Sequence, residues 1–223
     1  MIKGYIFDYG GTLDTGGQHW GKVIWHAYQG LQVPVTEQQF RDAYVFAERT
    51  LGKNPIIQSD FTFRRTLETK LRLQLEHLDS ALLTYHASLL DALYEDVLAE
   101  TAHSREVLLQ LEERYPMVLV SNFYGNIATV LREFRLDGIF QTIIESAVVG
   151  VRKPDPKIFM LGVEALRLLP EEVVVVGDSM DKDIIPAGKA GCQTVWYQGE
   201  GWTDDPVDAS AAGRVITDLK ELL

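Results

Sequence analysis

Two runs of consecutive aliphatic residues, Met117-Val118-Leu119-Val120 and Val173-Val174-Val175-Val176, constrain this chain most. Each is strand-sized and sits among stretches with helical periodicity. Residues 2–8 and 103–223 read as short apolar strands alternating with amphipathic helices, the pattern of a parallel sheet covered by helices on both faces. The expected strands are 3–8, 117–121, 142–146, 172–177 and 193–197. The expected helices are 104–114, 126–134, 156–166 and 182–190. Pro154 and Pro156 mark the turn into the third of these helices, because proline suits a first helical turn and disfavours helix in the residue before it.

Residues 17–100 have a different texture. Apolar side chains recur at helical spacing, as in Val23, Ala27 and Leu31 and again in Leu67, Leu71, Leu75 and Leu78. Thr36-Glu37-Gln38-Gln39 resembles a capping box that opens a helix running to about Leu51, and Gly52-Lys53-Asn54-Pro55 closes it. Helices inserted after the first strand, before the sheet resumes, predict a separate cap over 17–100 on an α/β core of 1–16 and 101–223. Hinges are expected near Thr15-Gly16-Gly17 and Glu100-Thr101-Ala102. The fold class is therefore α/β, a doubly wound parallel sheet with a helical cap.

Composition narrows the function. A formal net charge of −11 argues against nucleic acid as a partner, since phosphate backbones are bound by clustered Lys and Arg. It leaves room for a small anionic substrate, because charges local to a cleft can oppose the global sign. No apolar run approaches the roughly 20 residues that span a bilayer, so no membrane partner is expected. The first residues lack a signal-peptide layout, and the lone Cys192 excludes an internal disulfide framework; the expected location is cytoplasmic. There is no Gly-x-Ser-x-Gly elbow, no P-loop and no Gly-x-Gly-x-x-Gly after a strand.

The candidate chemistry lies at strand ends, where open α/β sheets bind ligands. Asp8 ends the first strand ahead of Gly10-Gly11, and Asp178, Asp181 and Asp183 follow the valine strand. One Asp after a strand serves well as a turn or helix cap, but three acids at 178, 181 and 183 exceed that need. Carboxylates suit Mg²⁺. Arg152-Lys153 precedes a helix, and Ser121-Asn122 ends the second strand. All four pieces should meet at one edge of the sheet.

The order Asp8-Tyr-Gly-Gly-Thr-Leu, Ser121-Asn122, Lys153-Pro-Asp-Pro-Lys-Ile-Phe and Gly177-Asp-Ser-x-x-x-Asp resembles the four signature motifs of the haloacid dehalogenase superfamily of hydrolases. The intervening helices match the place of that family's cap. The resemblance implies a Mg²⁺-dependent hydrolase acting on a small phosphorylated substrate. By it, Asp8 is the nucleophile, and Ser121 with Asn122 binds the transferred group. Lys153 neutralises nucleophile and phosphoryl oxygens, and Asp8, Gly10 (through its carbonyl), Asp178 and Asp183 hold the metal.

The sequence departs from that pattern at Gly10, where family phosphatases carry a second, acid–base Asp. Losing such a group costs about 10²–10⁴-fold. Three readings follow. Asp14 or His19 substitutes; or the substrate needs little acid help, as in the 2-haloacid dehalogenase and phosphonate-cleaving branches; or the protein is a catalytically weak binding or regulatory module. The dehalogenases do without magnesium, which leaves the Asp178 and Asp183 pair unexplained. The phosphonate branch needs a cap lysine, for which Lys53 and Lys70 are the options. Arg64-Arg65, beside Phe61 and Phe63, is the expected anchor for the rest of an anionic substrate. Trp20, Trp25 and Tyr28 suit either a pocket wall or the packing of the cap.

Overall fold

The computed structural model describes all 223 residues. Strand β1 (Gly4–Phe7) is followed by α1 (Trp20–Gly30), α2 (Glu37–Lys53), α3 (Phe63–Leu78) and α4 (His86–Glu112). The sheet resumes with β2 (Met117–Ser121), then α5 (Ile127–Glu133), β3 (Thr142–Glu145), α6 (Ser146–Val149) and α7 (Lys157–Leu166). It ends with β4 (Val173–Gly177), α8 (Ile185–Lys189), β5 (Gln193–Tyr197) and β6 (Arg214–Ile216). No helix is long and apolar enough to cross a membrane.

All six strands are parallel in the order β3-β2-β1-β4-β5-β6. The valine run explains why. Val174 and Val176 join one core cluster, with Tyr5, Phe7, Met117 and Leu119; Val173 and Val175 join the other, with Ile6, Val118 and Val120. Both pleat faces are apolar, so both must be covered, and crossover helices do this in a parallel sheet. Helix α7 covers one face through Ile158, Phe159 and Val163. The C-terminal part of α4 and α5 cover the other, and that cluster runs on into the helices after β1.

The helices over 17–100 form as expected. Thr36 and Gln39 make a reciprocal capping box at the start of α2, and the Leu67, Leu71, Leu75 stripe is the buried face of α3. The proposed boundary at residues 100 and 101 falls inside α4, which is continuous; the helix expected at 104–114 is its last part. Polar contacts also tie residues 17–100 to the elements after β2. Glu133 of α5 accepts the backbone N–H of Phe63 at the start of α3 and the hydroxyl of Tyr94 at 2.8 Å. Asn126 donates to Phe61 O and to Thr66 Oγ1, each at 2.9 Å.

Gly162 of α7 lies against the sheet so closely that a Cβ there would sit 2.7 Å from Ile6 Cδ1 and 3.2 Å from Val120 Cγ2. Overpacking a buried contact costs about 1–3 kcal/mol. Gly162→Val should therefore lower the melting temperature by several degrees despite removing a helix glycine, and a thermal melt showing equal or higher stability would contradict this packing.

Candidate active site

Strands β1 and β4 are neighbours, but β1 leads on to β2 on one side and β4 to β5 on the other. This reversal opens a crevice at their carboxyl ends, the usual binding place in a doubly wound sheet. Asp8 follows β1 directly, its N–H bonded to Val176 O at 3.0 Å, and Asp178 follows β4. Asp183 comes from the π-helical turn Met180–Ile184, which folds back toward the strand end. One carboxylate oxygen from each of Asp8, Asp178 and Asp183 can be chosen so that all lie within 4.8 Å of one another, a donor set that could hold a hard cation.

Close backbone approach makes this cluster possible. Thr12 Oγ1 and Asp178 exchange two 3.0 Å hydrogen bonds: the hydroxyl donates to Oδ1 and accepts from the Asp178 N–H. A Cβ on Gly11, whose φ is +96°, would lie 2.5 Å from the Asp178 carboxylate. Only glycine fits both that space and that conformation. Lys153 then joins the acids. Its Nζ is 2.7 Å from Asp8 Oδ1 and 2.6 Å from Asp183 Oδ1, with its side chain only 2% exposed. Asp183 Oδ2 accepts the N–H of Ser179 at 3.0 Å. Asn122 Oδ1 accepts the N–H of Lys153 at 3.0 Å and its Nδ2 donates to Lys153 O at 3.1 Å. This carboxamide is thus engaged in holding the lysine segment. Ser121, buried at the end of β2, lines the cavity beside it.

The electrostatics follow from burial. Desolvation raises Asp8 to about 6, with Lys153 opposing and Asp183 adding to the rise. Asp178 is raised well above the carboxylate range by burial and by its two acidic neighbours. Burial would lower Lys153, but Asp183 and Asp8 more than compensate and keep it charged. The metal-free cluster is therefore short of positive charge, which protons or a cation can supply.

A cavity of about 160 Å³ lies over this cluster. Asp14 and His19 both line it, so the structure brings together every residue assigned to the nucleophile, metal, phosphoryl or acid–base role, but not Arg64, Arg65, Lys53 or Asp181. Asp14 is 1% exposed; Oδ1 accepts the Gly11 N–H at 2.7 Å and Oδ2 the Trp20 indole at 3.0 Å. Burial lifts it to about 7. His19 is the N-cap of α1, its Nδ1 accepting the Gly21 N–H at 3.0 Å, and burial lowers it to about 4. It is a neutral ring at pH 7, and with Nδ1 accepting, its proton is on Nε2. Arg64 pairs with Asp91 at 2.5 Å and Arg65 lies over Phe61; neither lines the cavity. Lys70, one of the two lysine options, does, together with Glu48 and Tyr124, which the sequence pattern does not mark. The available signal was position: Lys70 is four residues after Thr66, three after Leu67 and one before Leu71, on the buried side of α3.

This architecture defines a doubly wound α/β protein with an acidic cluster and a buried lysine under a helical cover. The sequence matches the haloacid dehalogenase-like hydrolase family over residues 2–191, and the chain belongs to that family. It is 29% identical to a glyceraldehyde 3-phosphate phosphatase of Methanopyrus kandleri, across 87% of this chain and 83% of that protein. It is 34% identical to the enzyme of the same name from Pyrococcus furiosus, over 56% of this chain and about half (54%) of that protein. In fold it is similar to YfnB, a HAD-hydrolase of Bacillus subtilis solved with magnesium; the TM-score is 0.58 at 19% identity, covering 99% of this chain and 96% of that one.

The shifts give a stability profile without divalent metal. Asp14 and Asp178 hold protons in the folded state at pH values where the unfolded chain, with carboxylates near 3.9, has lost them. The native state then binds more protons, and stability falls as pH rises through the folded values. His19 has the opposite sign, but only between about 4 and 6.5. Thermal melts in chelator should show stability declining as pH rises from about 6 to 7.5, less steeply in Asp14→Asn. A flat or rising wild-type profile would refute these environments.

Proposed function

We propose that this hydrolase is a Mg²⁺-dependent phosphatase of small phosphorylated metabolites, with Asp8 as nucleophile. The observation that carries the proposal is the meeting of Asp8, Asp178 and Asp183 within 4.8 Å, with Lys153 touching two of them beneath a partly open cavity. Relatives named as glyceraldehyde 3-phosphate and phosphoglycolate phosphatases support the substrate class. The donor set fits magnesium in its chemistry, being all oxygen, and in its need for positive charge; Asp8, Asp178, Asp183 and the Gly10 carbonyl would hold the ion. When bound, the ion neutralises the nucleophile and phosphoryl oxygens and acts as Lewis acid.

The protein's own groups account for the remaining steps. A carboxylate oxygen of Asp8 attacks phosphorus, forming an aspartyl phosphate as the bond to the ester oxygen breaks. Lys153 and Ser121 hold phosphoryl oxygens. Asp14 is the acid–base in place of Gly10: with a value near 7 it gives a proton to the departing oxygen, then takes one from the water that cleaves the aspartyl phosphate. Its two hydrogen bonds fix the carboxyl in the cavity wall. His19, neutral and without a low-lying proton to give, positions α1 and forms part of the wall. A phosphonate-cleaving role, which needs a neutral lysine amine, is not favoured, because Glu48 keeps Lys70 protonated.

Two measurements test this. With Mg²⁺ the protein should hydrolyse p-nitrophenyl phosphate and take up one beryllium fluoride per chain; Asp8→Asn should lose both. A wild type that does neither would leave a binding module as the better account. Second, Asp14→Asn should slow alkyl phosphates by about 10²–10⁴-fold but p-nitrophenyl phosphate far less, since its leaving group needs little protonation. A Cβ on Gly10 would meet nothing within 4 Å, so Gly10→Asp is sterically free and should restore part of the alkyl phosphatase rate in the Asp14→Asn background. Equal losses for both ester types would remove Asp14 from this role.

A further inference from the structure

The cavity has a second charged group, on its cap side. Lys70 of α3 has a side chain only 12% exposed, and its Nζ lies 2.6 Å from Glu48 Oε1 of α2. The other oxygen, Glu48 Oε2, accepts the Tyr124 hydroxyl at 3.0 Å, from the loop after β2. The ammonium is 5.9 Å from the centre of the Trp20 ring and 5.7 Å from that of Tyr124. Glu48 Oε1 is buried without a well-aligned hydrogen-bond donor, despite the close ammonium. A polar pair set among aromatic walls is costly to build and adds little to stability. Placed on the cavity wall, it has unspent capacity to donate and to accept.

Its charge balance decides what it can receive. Burial alone would raise Glu48, but Lys70 and the Tyr124 hydroxyl hold it below the carboxylate range; burial likewise opposes Lys70, which Glu48 keeps well above its ordinary value. Both are ionised at neutral pH, so the pair is neutral as a unit. A ligand hydroxyl or carbonyl can accept from Lys70 or donate to Glu48 and leave that balance intact. A ligand carboxylate brings an extra negative charge beside the ionised Glu48, whose two oxygens already face Lys70 and the Tyr124 hydroxyl. Lys182, the remaining cation of the lining, is exposed.

We infer that the Lys70–Glu48 pair is a specificity-determining subsite that selects small phosphate monoesters whose organic part carries only uncharged oxygens, and disfavours those ending in a carboxylate. This rests on the proposed phosphatase reading for where the phosphoryl group binds.

Glycerol 3-phosphate and 3-phosphoglycerate test the inference, because they differ at one end by a hydroxymethyl group against a carboxylate. Calorimetric titration of the Asp8→Asn protein with Mg²⁺ should give at least about tenfold tighter binding of glycerol 3-phosphate, and wild-type kcat/KM should follow the same order. Glu48→Gln keeps an acceptor for Tyr124 but leaves the Lys70 charge unbalanced, and should shrink the preference several-fold or reverse it. Equal or tighter binding of 3-phosphoglycerate by the Glu48-containing protein overturns the inference, as does a failure of both ligands to bind. An unchanged ratio in a folded Glu48→Gln protein also overturns it. If glycerol 3-phosphate is preferred in binding but the wild type hydrolyses neither ester, the subsite stands and the phosphatase reading falls.

Discussion

The geometry of the site depends on one ammonium group. Lys153 Nζ sits between Asp8 and Asp183 with almost no solvent, and without it three carboxylates would face one another in a buried crevice. Breaking a buried ion pair by removing one partner costs about 3–5 kcal/mol, because the survivor is left uncompensated. Much of the local structure serves to keep this lysine in place. Asn122 clamps both its N–H and its carbonyl, so the end of β2 fixes the segment ahead of α7. Ser179 ties back Asp183, and Thr12 ties Asp178 to the turn after β1. Strand ends from β1, β2 and β4 are thus locked together by side chains that double as candidate functional groups.

The parts of this arrangement that could be read from sequence share a physical reason. Asp8, Ser121 and Asp178 each follow a strand recognisable by its apolar run, and a parallel sheet brings all carboxyl ends to one edge. Local pattern plus topology was enough. The same logic located Lys153 and Asp183 in the segments next to that edge. Strand β6 was not anticipated, since Arg214–Ile216 is three residues long and mostly exposed. The continuity of α4 is hidden by the change in residue pattern near residue 100, although His86–Glu112 contains neither glycine nor proline.

The helices over 17–100 are harder to read because their relevant face is set by long-range packing. Arg64 and Arg65 drew attention as a basic pair beside aromatics, yet they sit on the exposed side of α3. The Leu67, Leu71, Leu75 stripe fixes the helix phase and puts Lys70 inward, but phase alone does not say that the inward face ends at a cavity. That follows from long-range contacts: Glu133 capping the start of α3, Asn126 holding Phe61 and Thr66, and Trp202 packed against Gly21, His19 and Tyr44. A charged residue at an apolar-face position is the trace such docking leaves in a sequence, because burying a charge is tolerated only when something pairs with it.

The exchange of a family aspartate for Gly10 looks different once the neighbouring turn is considered. Asp14 accepts the Gly11 N–H, the residue directly after the vacant position, and the Trp20 indole from the cap fixes its other oxygen. A carboxyl group is therefore present in the cavity wall, supplied from the far side of the turn. The surroundings also suit a proton carrier: burial brings Asp14 to about 7, whereas a solvated carboxylate near 3.9 would hold almost no proton at neutral pH. Because Trp20 belongs to α1, the orientation of this carboxyl depends on the packing of α1 against the turn after β1. The proposed acid thus owes its orientation to Trp20 and its proton to burial, both supplied by the packing around one turn.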